Sequence, residues 1–356
     1  MQLSHLKIRD FRNLVDVDFK PCAGVNLVTG ENASGKTSIL ESIYYLSHLR
    51  SFRTPYLSDL INTNASSLQL IAKAKDLHNN LIPIGITRSK EKLEVRANQK
   101  PVQRVADITA IFPVLAIHPD SYRLITGSAS ERRAYIDWGV FHVEHSFFDA
   151  WQRYKKALSQ RNAALRSGQK AQYCRLWDRE LEQAAQLIDS RRSGYMEELR
   201  PYLYVLLKSF FVNQEVKLEY KRGWKQDQNL GLILQQDIER DLRRGITHSG
   251  PHRAELSINI NGKSAQTGIS RGQQKVLVAI LKLAQVQHFT HSASKHCVLL
   301  YDDLAAELDE NHRQRILSVL RKMPIQLFLT AIDAKQIDLH DWPEAVMFHV
   351  EHGRLC

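Results

Sequence analysis

Apolar and polar positions alternate over the first thirty residues. Leu3, Leu6 and Ile8 open one strand, Val15, Val17 and Phe19 a second, and Val25-Asn26-Leu27-Val28 a third that stops at Gly30. The period then changes. Ile39, Leu40, Ile43 and Leu46 recur at helical spacing, which predicts a helix from Lys36 to about His48. Alternation returns over 68–97 through Leu70, Ala72 and Ala74, then Ile82, Ile84 and Ile86, then Leu93 and Val95, the pattern of antiparallel hairpins. Phe112–Ile117 reads as a short buried strand. Ser130–Phe141 reads as a helix, and Ala150 to about Leu207 as two or more long helices with one proline, Pro201. Leu256, Ile258 and Ile260 alternate again before an Asn261-Gly262 turn. A helix from Gly272 to about Phe289, a strand Val298–Tyr301, a helix Glu310–Arg321 and a strand Gln326–Thr330 complete the chain. The expected fold class is α/β, a mixed sheet with helices, interrupted by a mainly helical insertion. The expected domains are 1–128 with 246–356, formed from both chain ends, and an insertion at 129–245.

A chain of 356 residues suits two domains or one large domain with an insertion. Its longest uncharged apolar stretch, Ala110–Ile117, has eight residues, against about twenty for a membrane helix. No membrane span is expected. The N-terminus opens a strand and shows no secretory pattern. Charge narrows the partners. Lys plus Arg is 49 and Asp plus Glu 38, a net of +11 with a pI near 9.4, which favours a polyanion, most simply nucleic acid. No basic amphipathic membrane anchor stands out. Residues 151–250 hold 19 Lys/Arg and 12 Asp/Glu, or +7 of that total. Between Asp149 and Asp178 there is no acid, while Arg153, Lys155, Lys156, Arg161, Arg166, Lys170 and Arg175 all occur. Two readings are open for this run, a solvated helix face and a DNA-facing surface. Cys22, Cys174, Cys297 and Cys356 are far apart and form no C-x-x-C pair, as expected of free thiols in a reducing cytoplasm.

The most specific signal is Gly30-Glu31-Asn32-Ala33-Ser34-Gly35-Lys36-Thr37, a match to G-x-x-x-x-G-K-[ST] between an apolar strand and an amphipathic helix. Glycines let the backbone wrap a phosphate with its N–H groups turned inward, and the helix N-terminus adds partial positive charge. Lys36 is expected to reach the β- and γ-phosphates of ATP and the Thr37 hydroxyl to ligate Mg2+, with Ser38 next to it binding the nucleotide. Such a loop needs an acid at the end of a buried strand. Cys297–Tyr301 supplies the strand and Asp302-Asp303 the acids. Asp302 is expected to hold the metal. Asp303 sits where a base polarises the attacking water.

Upstream, Ser270-Arg271-Gly272-Gln273-Gln274-Lys275 leads into a helix and resembles the signature motif of ABC-type ATPases, while Leu304-Ala305-Ala306-Glu307-Leu308-Asp309 resembles their D-loop. Ser270 is also a good helix N-cap. Thr330 lies where many such enzymes place a switch histidine. Lys36 and Asp302 are 266 residues apart, too close for the long coiled coils of chromosome ATPases. Transporter ATPases have a short insertion at this place and usually a double-glycine signature.

Together with Leu6–Leu14, Arg50-Ser51-Phe52-Arg53-Thr54, Gly127-Ser128 with Glu131-Arg132-Arg133, and Ser249-Gly250-Pro251-His252-Arg253, these motifs resemble the RecF family of bacterial recombination-repair ATPases over essentially the whole chain. The resemblance implies an ABC-type, SMC-like ATPase head split by a basic helical arm. It implies an ATP-dependent homodimer in which each nucleotide lies between one phosphate loop and the opposite Ser270, Gly272 and Gln273. It also implies binding to double-stranded DNA beside single-stranded gaps, with RecR and RecO promoting RecA loading on DNA coated with single-strand-binding protein, in the cytoplasm at the nucleoid. Arg9, Arg12 and Asn13 are carried over as neighbours of the base or ribose. Asp303 is one methylene shorter than the glutamate usual in ABC enzymes, which implies slow hydrolysis suited to a timed clamp.

Weaker signals stay open. His118 either watches the γ-phosphate or ends a strand. Arg50, Arg53, His252 and Arg253 either contact phosphate or cap structure. Phe-His-Val-Glu-His occurs at Phe141–His145 and again at Phe348–His352; metal binding is the lesser reading of both. The alternative function is an ABC-type chromosome-structural clamp without repair partners. A nuclease powered by an ABC head would need a metal-dependent domain after Asp302, for which about fifty residues remain.

Overall fold

Strands β1 (Gln2–Phe11) and β2 (Leu14–Phe19) form a hairpin closed at Arg12-Asn13. β1 slips register between Leu3 and His5 against its other neighbour. One extra residue reverses side-chain parity, so Leu3 and Leu6 are both buried although three positions apart. In β2 the inward residue is Leu14, and Val15 is exposed. The chain continues through β3 (Val25–Thr29), α1 (Lys36–His48), β4 (Ser67–Lys75), β5 (Leu81–Ser89), β6 (Leu93–Ala97), β7 (Lys100–Pro101), α2 (Val105–Ile111) and β8 (Val114–Ile117). β2-β1-β4-β5-β6-β7 make an antiparallel sheet. The computed structural model describes residues 1–293 and 296–356, apart from the side chain of His145.

The next elements are α3 (Arg123–Thr126), α4 (Ala129–Val143), α5 (His145–Arg166), α6 (Ala171–Cys174), α7 (Asp178–Phe210), β9 (Val216–Lys221), α8 (Leu230–Gln236), α9 (Ile238–Arg244), β10 (Glu255–Ile260), β11 (Lys263–Ser264), α10 (Ala265–Gly268) and α11 (Arg271–Ser292). As far as Gln285 in α11 they belong to a compact unit, Tyr122–Gln285; the remainder of α11, from Val286, belongs to the other unit. α7 buries Leu181, Ala184, Ala185, Ile188 and Leu199 at helical spacing. Buried arginines tie its helices together. Arg161 on α5 donates to Asp178 at 2.8 Å, to Asp241 on α9 at 2.8 Å and to Thr247 at 2.8 Å. Arg192 on α7 donates to both carboxylate oxygens of Asp137 on α4, at 2.7 and 2.9 Å, and to the carbonyl of Pro251. β10 pairs antiparallel with β9 and, across Asn261-Gly262, with β11. That pairing places residues 246–285, expected with the chain ends, in this unit.

The last elements are β12 (Val298–Tyr301), α12 (Leu304–Glu307), α13 (Glu310–Leu320), β13 (Gln326–Ala331), β14 (Ala345–Glu351) and β15 (Arg354–Leu355). With Met1–Ser121 they make the other unit, Met1–Ser121 and Val286–Cys356. Its second sheet has the order β15-β14-β3-β13-β12-β8, parallel except for β15. β3, β12 and β13 are buried along their whole length, as expected for a sheet covered on both faces. One apolar cluster joins the inner face of the antiparallel sheet (Leu6, Ile8, Leu70), α1 (Ile39, Leu40, Ile43) and the parallel strands (Val28, Leu300, Phe328). Buried Gln326 links the two sheets, accepting from Leu3 N at 2.7 Å and donating to Leu3 O at 2.8 Å. The fold class is therefore the expected α/β.

Candidate nucleotide-binding site

β3 lies inside the parallel sheet and delivers the loop 30–37 to its carboxyl edge. Only glycine fits at two positions. A Cβ on Gly30 (φ +148°) would lie 2.3 Å from the carbonyl of Val350, and one on Gly35 (φ +123°) 2.9 Å from Leu14. Asn13 braces the loop through its side-chain amide, donating to the carbonyls of Ala33 (3.3 Å) and Ser34 (3.2 Å), and accepts from Ser38 at 2.8 Å. Gly353 N–H donates to Ser34 O at 2.8 Å. Thus both chain ends hold the loop. Lys36 donates to the carbonyls of Gly30 (2.7 Å) and Glu31 (2.8 Å). Burial lowers its pKa, opposed by Asp303 and Asp302. Among the described residues, the buried Ser34 hydroxyl has no hydrogen-bond partner. α1 starts with no side-chain cap and no acid in its first turn, so its N-terminal N–H groups suit an anion.

The acids arrive from β12. Thr37 donates to both carboxylate oxygens of Asp302 at 3.0 Å. Asp302 is 3% exposed. Burial, then the charge of Asp303, pushes its carboxyl up to about 6, against hydrogen bonds from Thr330 and Thr37. A buried carboxylate beside a hydroxyl is a hard-oxygen set that suits Mg2+. Asp303 has left-handed backbone (φ 54°, ψ 39°). It shares an open cleft of about 390 Å3 with Arg12, Asn13, Asn32, Ala33, Gly35, Lys36, Thr37, Ser38 and Arg53. The orphaned Ser34 hydroxyl, the Gly30 and Gly35 cradle and this donor set fit a nucleotide triphosphate with Mg2+.

The periodicity of α1 gave no role to Glu41, which is fully buried in the helix beside the loop. Arg12 binds its two oxygens, Ser51 donates to it, and Arg53 lies 3.7 Å away. A lone acid in an apolar helical stretch was the available signal. Arg12 therefore lines the cleft with its guanidinium on Glu41. Phe52 stacks on His118 at 4.6 Å and meets Tyr44 edge-on. So Arg50–Thr54 is partly a structural hook: Ser51 and Phe52 anchor it, and Arg53 reaches the cleft.

In the other unit, Ser270 and Gln273 cap α11 reciprocally. Gln273 N–H donates to Ser270 Oγ at 3.2 Å and Ser270 N–H to Gln273 Oε1 at 3.1 Å. Ser270 and Gly272 are exposed. The nearest atom to a Cβ on Gly272 would be Ser270 Oγ at 4.0 Å, so its own chain does not demand a glycine there. His252 is structural: Tyr154 OH donates to its Nδ1 at 2.7 Å, its Nε2–H donates to Thr247 O at 3.0 Å, and burial pushes it down to about 4. Arg161 leaves the run of exposed bases, because it is fully buried. Arg153 pairs with Glu180. Lys155, Lys156, Arg166, Lys170 and Arg175 stay exposed. Among the described residues no group of three or more His, Cys, Asp or Glu is placed to hold a metal. His142 lies against Trp138, and His349 is 3.2 Å from Thr29; the side chain of His145 is outside the description. The four cysteines are unpaired, and no described helix is long and apolar enough to cross a membrane.

Residues 2–353 match the model of the RecF/RecN/SMC N-terminal domain family. The chain is 39% identical to the DNA replication and repair protein RecF of Vibrio atlanticus (strain LGP32), covering 100% of this chain and 99% of the relative. It is also 39% identical to that of Vibrio cholerae (strain N16961), covering 99% of each. A solved RecF-ATP structure, of the recombination mediator protein in the RecFOR pathway, superposes with a TM-score of 0.90 at 25% identity, covering 100% of this chain and 97% of that one. An Smc head bound to the C-winged helix domain of ScpA shares the fold, with a TM-score of 0.61 at 14% identity, 100% of this chain and 98% of that one.

Proposed function

Because the chain belongs to the RecF family of ABC-type, SMC-like ATPases, we propose that it is an ATP-dependent DNA-binding protein of recombinational repair. The observation that carries the nucleotide part of this reading is the closure of Thr37 on Asp302 beside the Gly30–Thr37 loop; the repair part is supported by the full-length likeness to RecF proteins.

The loop N–H groups of Glu31, Asn32, Ala33, Ser34 and Gly35 cradle the phosphates of ATP, and Lys36 turns from the carbonyls of Gly30 and Glu31 to a phosphate oxygen. Thr37 and Asp302 hold Mg2+. Arg12, Asn13 and Ser38 shape the rim of the cleft. When bound, Mg2+ neutralises phosphate charge and polarises the terminal phosphoryl group. Asp303 accepts a proton from the attacking water at its carboxylate. Its short side chain makes that hydrolysis weak, so ATP acts as a timer. A second copy of the chain lays Ser270, Gly272 and Gln273 against the nucleotide, giving a head-to-tail homodimer. The exposed Lys155, Lys156, Arg166, Lys170 and Arg175 face DNA phosphates. The dimer clamps double-stranded DNA at junctions with single-stranded gaps. With RecR and RecO it promotes RecA loading on DNA coated with single-strand-binding protein, and hydrolysis releases it.

Binding to fluorescent duplex, single-stranded and gapped DNA, with and without ATP at two salt concentrations, tests this reading. ATP-dependent retention on duplex or gapped DNA, lost in a folded Lys36→Ala protein, is the expected result. Equal retention without ATP separates the nucleotide site from DNA binding, and no binding in any state removes the repair assignment.

A further inference from the structure

Thr330 stands on β13, between β3, which feeds the phosphate loop, and β12, which ends in the acids. It is fully buried. Its hydroxyl donates to Asp302 Oδ1 at 2.8 Å and accepts the backbone N–H of Asp303 at 2.7 Å. A hydroxyl offers one donor and acceptor lone pairs, so one side chain serves both groups at once. The group it holds is unusual. Asp303 has left-handed backbone, a conformation uncommon outside glycine, though aspartate adopts it more readily than most residues. Thr37 extends the chain of contacts, donating to the same carboxylate of Asp302. The links run Thr37, Asp302, Thr330, Asp303 N–H, from the proposed metal ligands to the proposed base.

We propose that Thr330 is a positioning residue for hydrolysis. Its hydroxyl fixes the backbone of Asp303, and with it the place of the carboxylate that meets the attacking water, in register with Asp302. The proposal rests on the ATPase reading above. At this strand end, where a switch histidine was the reference, the side chain turns inward to the acids of its own chain.

Thr330→Val keeps the shape and removes both hydrogen bonds, while Thr330→Ser keeps both. The first measurement is structural, by crystallography of the nucleotide-free variants. Asp303 is expected to leave its left-handed conformation in Thr330→Val and to retain it in Thr330→Ser. The second is kinetic. Thr330→Val is expected to bind a fluorescent ATP analogue within about threefold of wild type, while kcat falls about ten- to a hundredfold, the scale of a misplaced base. Thr330→Ser is expected to recover most of kcat. Should Thr330→Val not fold, Thr330→Cys, with a weaker donor and acceptor, takes its place in both arms. An unmoved Asp303 overturns the proposal. So does a variant that loses nucleotide affinity and kcat in step, or one with wild-type kcat. If the wild type does not hydrolyse ATP, the ATPase reading fails by itself, and the crystal structures still decide whether Thr330 positions Asp303.

Discussion

A methyl group at Gly30 and one at Gly272 meet opposite surroundings. At Gly30 it would lie 2.3 Å from the Val350 carbonyl at a φ of +148°, so Gly30→Ala strains the backbone and displaces β14. A loss of about 2–4 kcal/mol is expected in urea unfolding, together with loss of ATP binding. At Gly272 the methyl meets open space. Gly272→Ala is expected to unfold within about 0.5 kcal/mol of wild type but to weaken ATP-dependent dimerisation. Equal dimerisation would mean that nothing packs on this glycine. Asp302 offers a pH test. Its folded carboxyl titrates at about 6, above its ordinary 3.8, so the folded chain holds that proton more tightly than the unfolded chain. The ionised carboxylate therefore costs stability above pH 6, and the cost fades as pH falls through 6 towards 4. The full cost is on the order of 3 kcal/mol. Nucleotide-free Asp302→Asn is thus expected to melt above wild type at pH 7.5, with a smaller margin at pH 5. A lower melting temperature at pH 7.5 would contradict this account of the site.

At the scale of elements, the charge on α5 divides by burial. Arg161 is enclosed by α7 and α9 with two carboxylates. Arg161→Ala leaves Asp178 without its arginine and Asp241 with His248 alone, and is expected to cost about 3–5 kcal/mol. Lys156→Ala is expected to leave stability unchanged and to lower the salt dependence of DNA binding by about one unit of log–log slope. Urea unfolding and salt titration of both variants check the pair. The run of bases in the sequence could not separate these two cases, because the acids that enclose Arg161 come from Asp178 and Asp241, outside the run. Other elements show the same limit. The strand periodicity of Leu3, Leu6 and Ile8 located β1, but parity alone does not explain two buried residues three apart; the register slip does. The periodicity of α1 located its apolar face, yet the helix also buries Glu41 and Ser42, because sheet and loop enclose it. Local patterns report local conformation, and partners distant in sequence decide which polar groups go inside.

At the scale of the whole molecule, the nucleotide loop and its acids were legible because their spacing is dictated by phosphate and metal chemistry. The division into units was less so. β10 pairs with β9, a long-range hydrogen-bonding choice that draws 246–285 into the unit of the helices. Of the signature residues in that unit, Ser270 and Gln273 use their polar groups to cap a helix, and Ser270 and Gly272 leave an exposed surface. The account requires that surface to complete the nucleotide site of a second copy. Sedimentation velocity of wild type and Ser270→Arg, with and without ATP, tests this most directly, with nucleotide affinity measured alongside. The account predicts that ATP shifts the wild type to a dimer, while Ser270→Arg binds ATP with the affinity of the wild-type monomer and stays monomeric. A Ser270→Arg protein that dimerises like wild type, or a wild type whose mass ATP leaves unchanged, would contradict it.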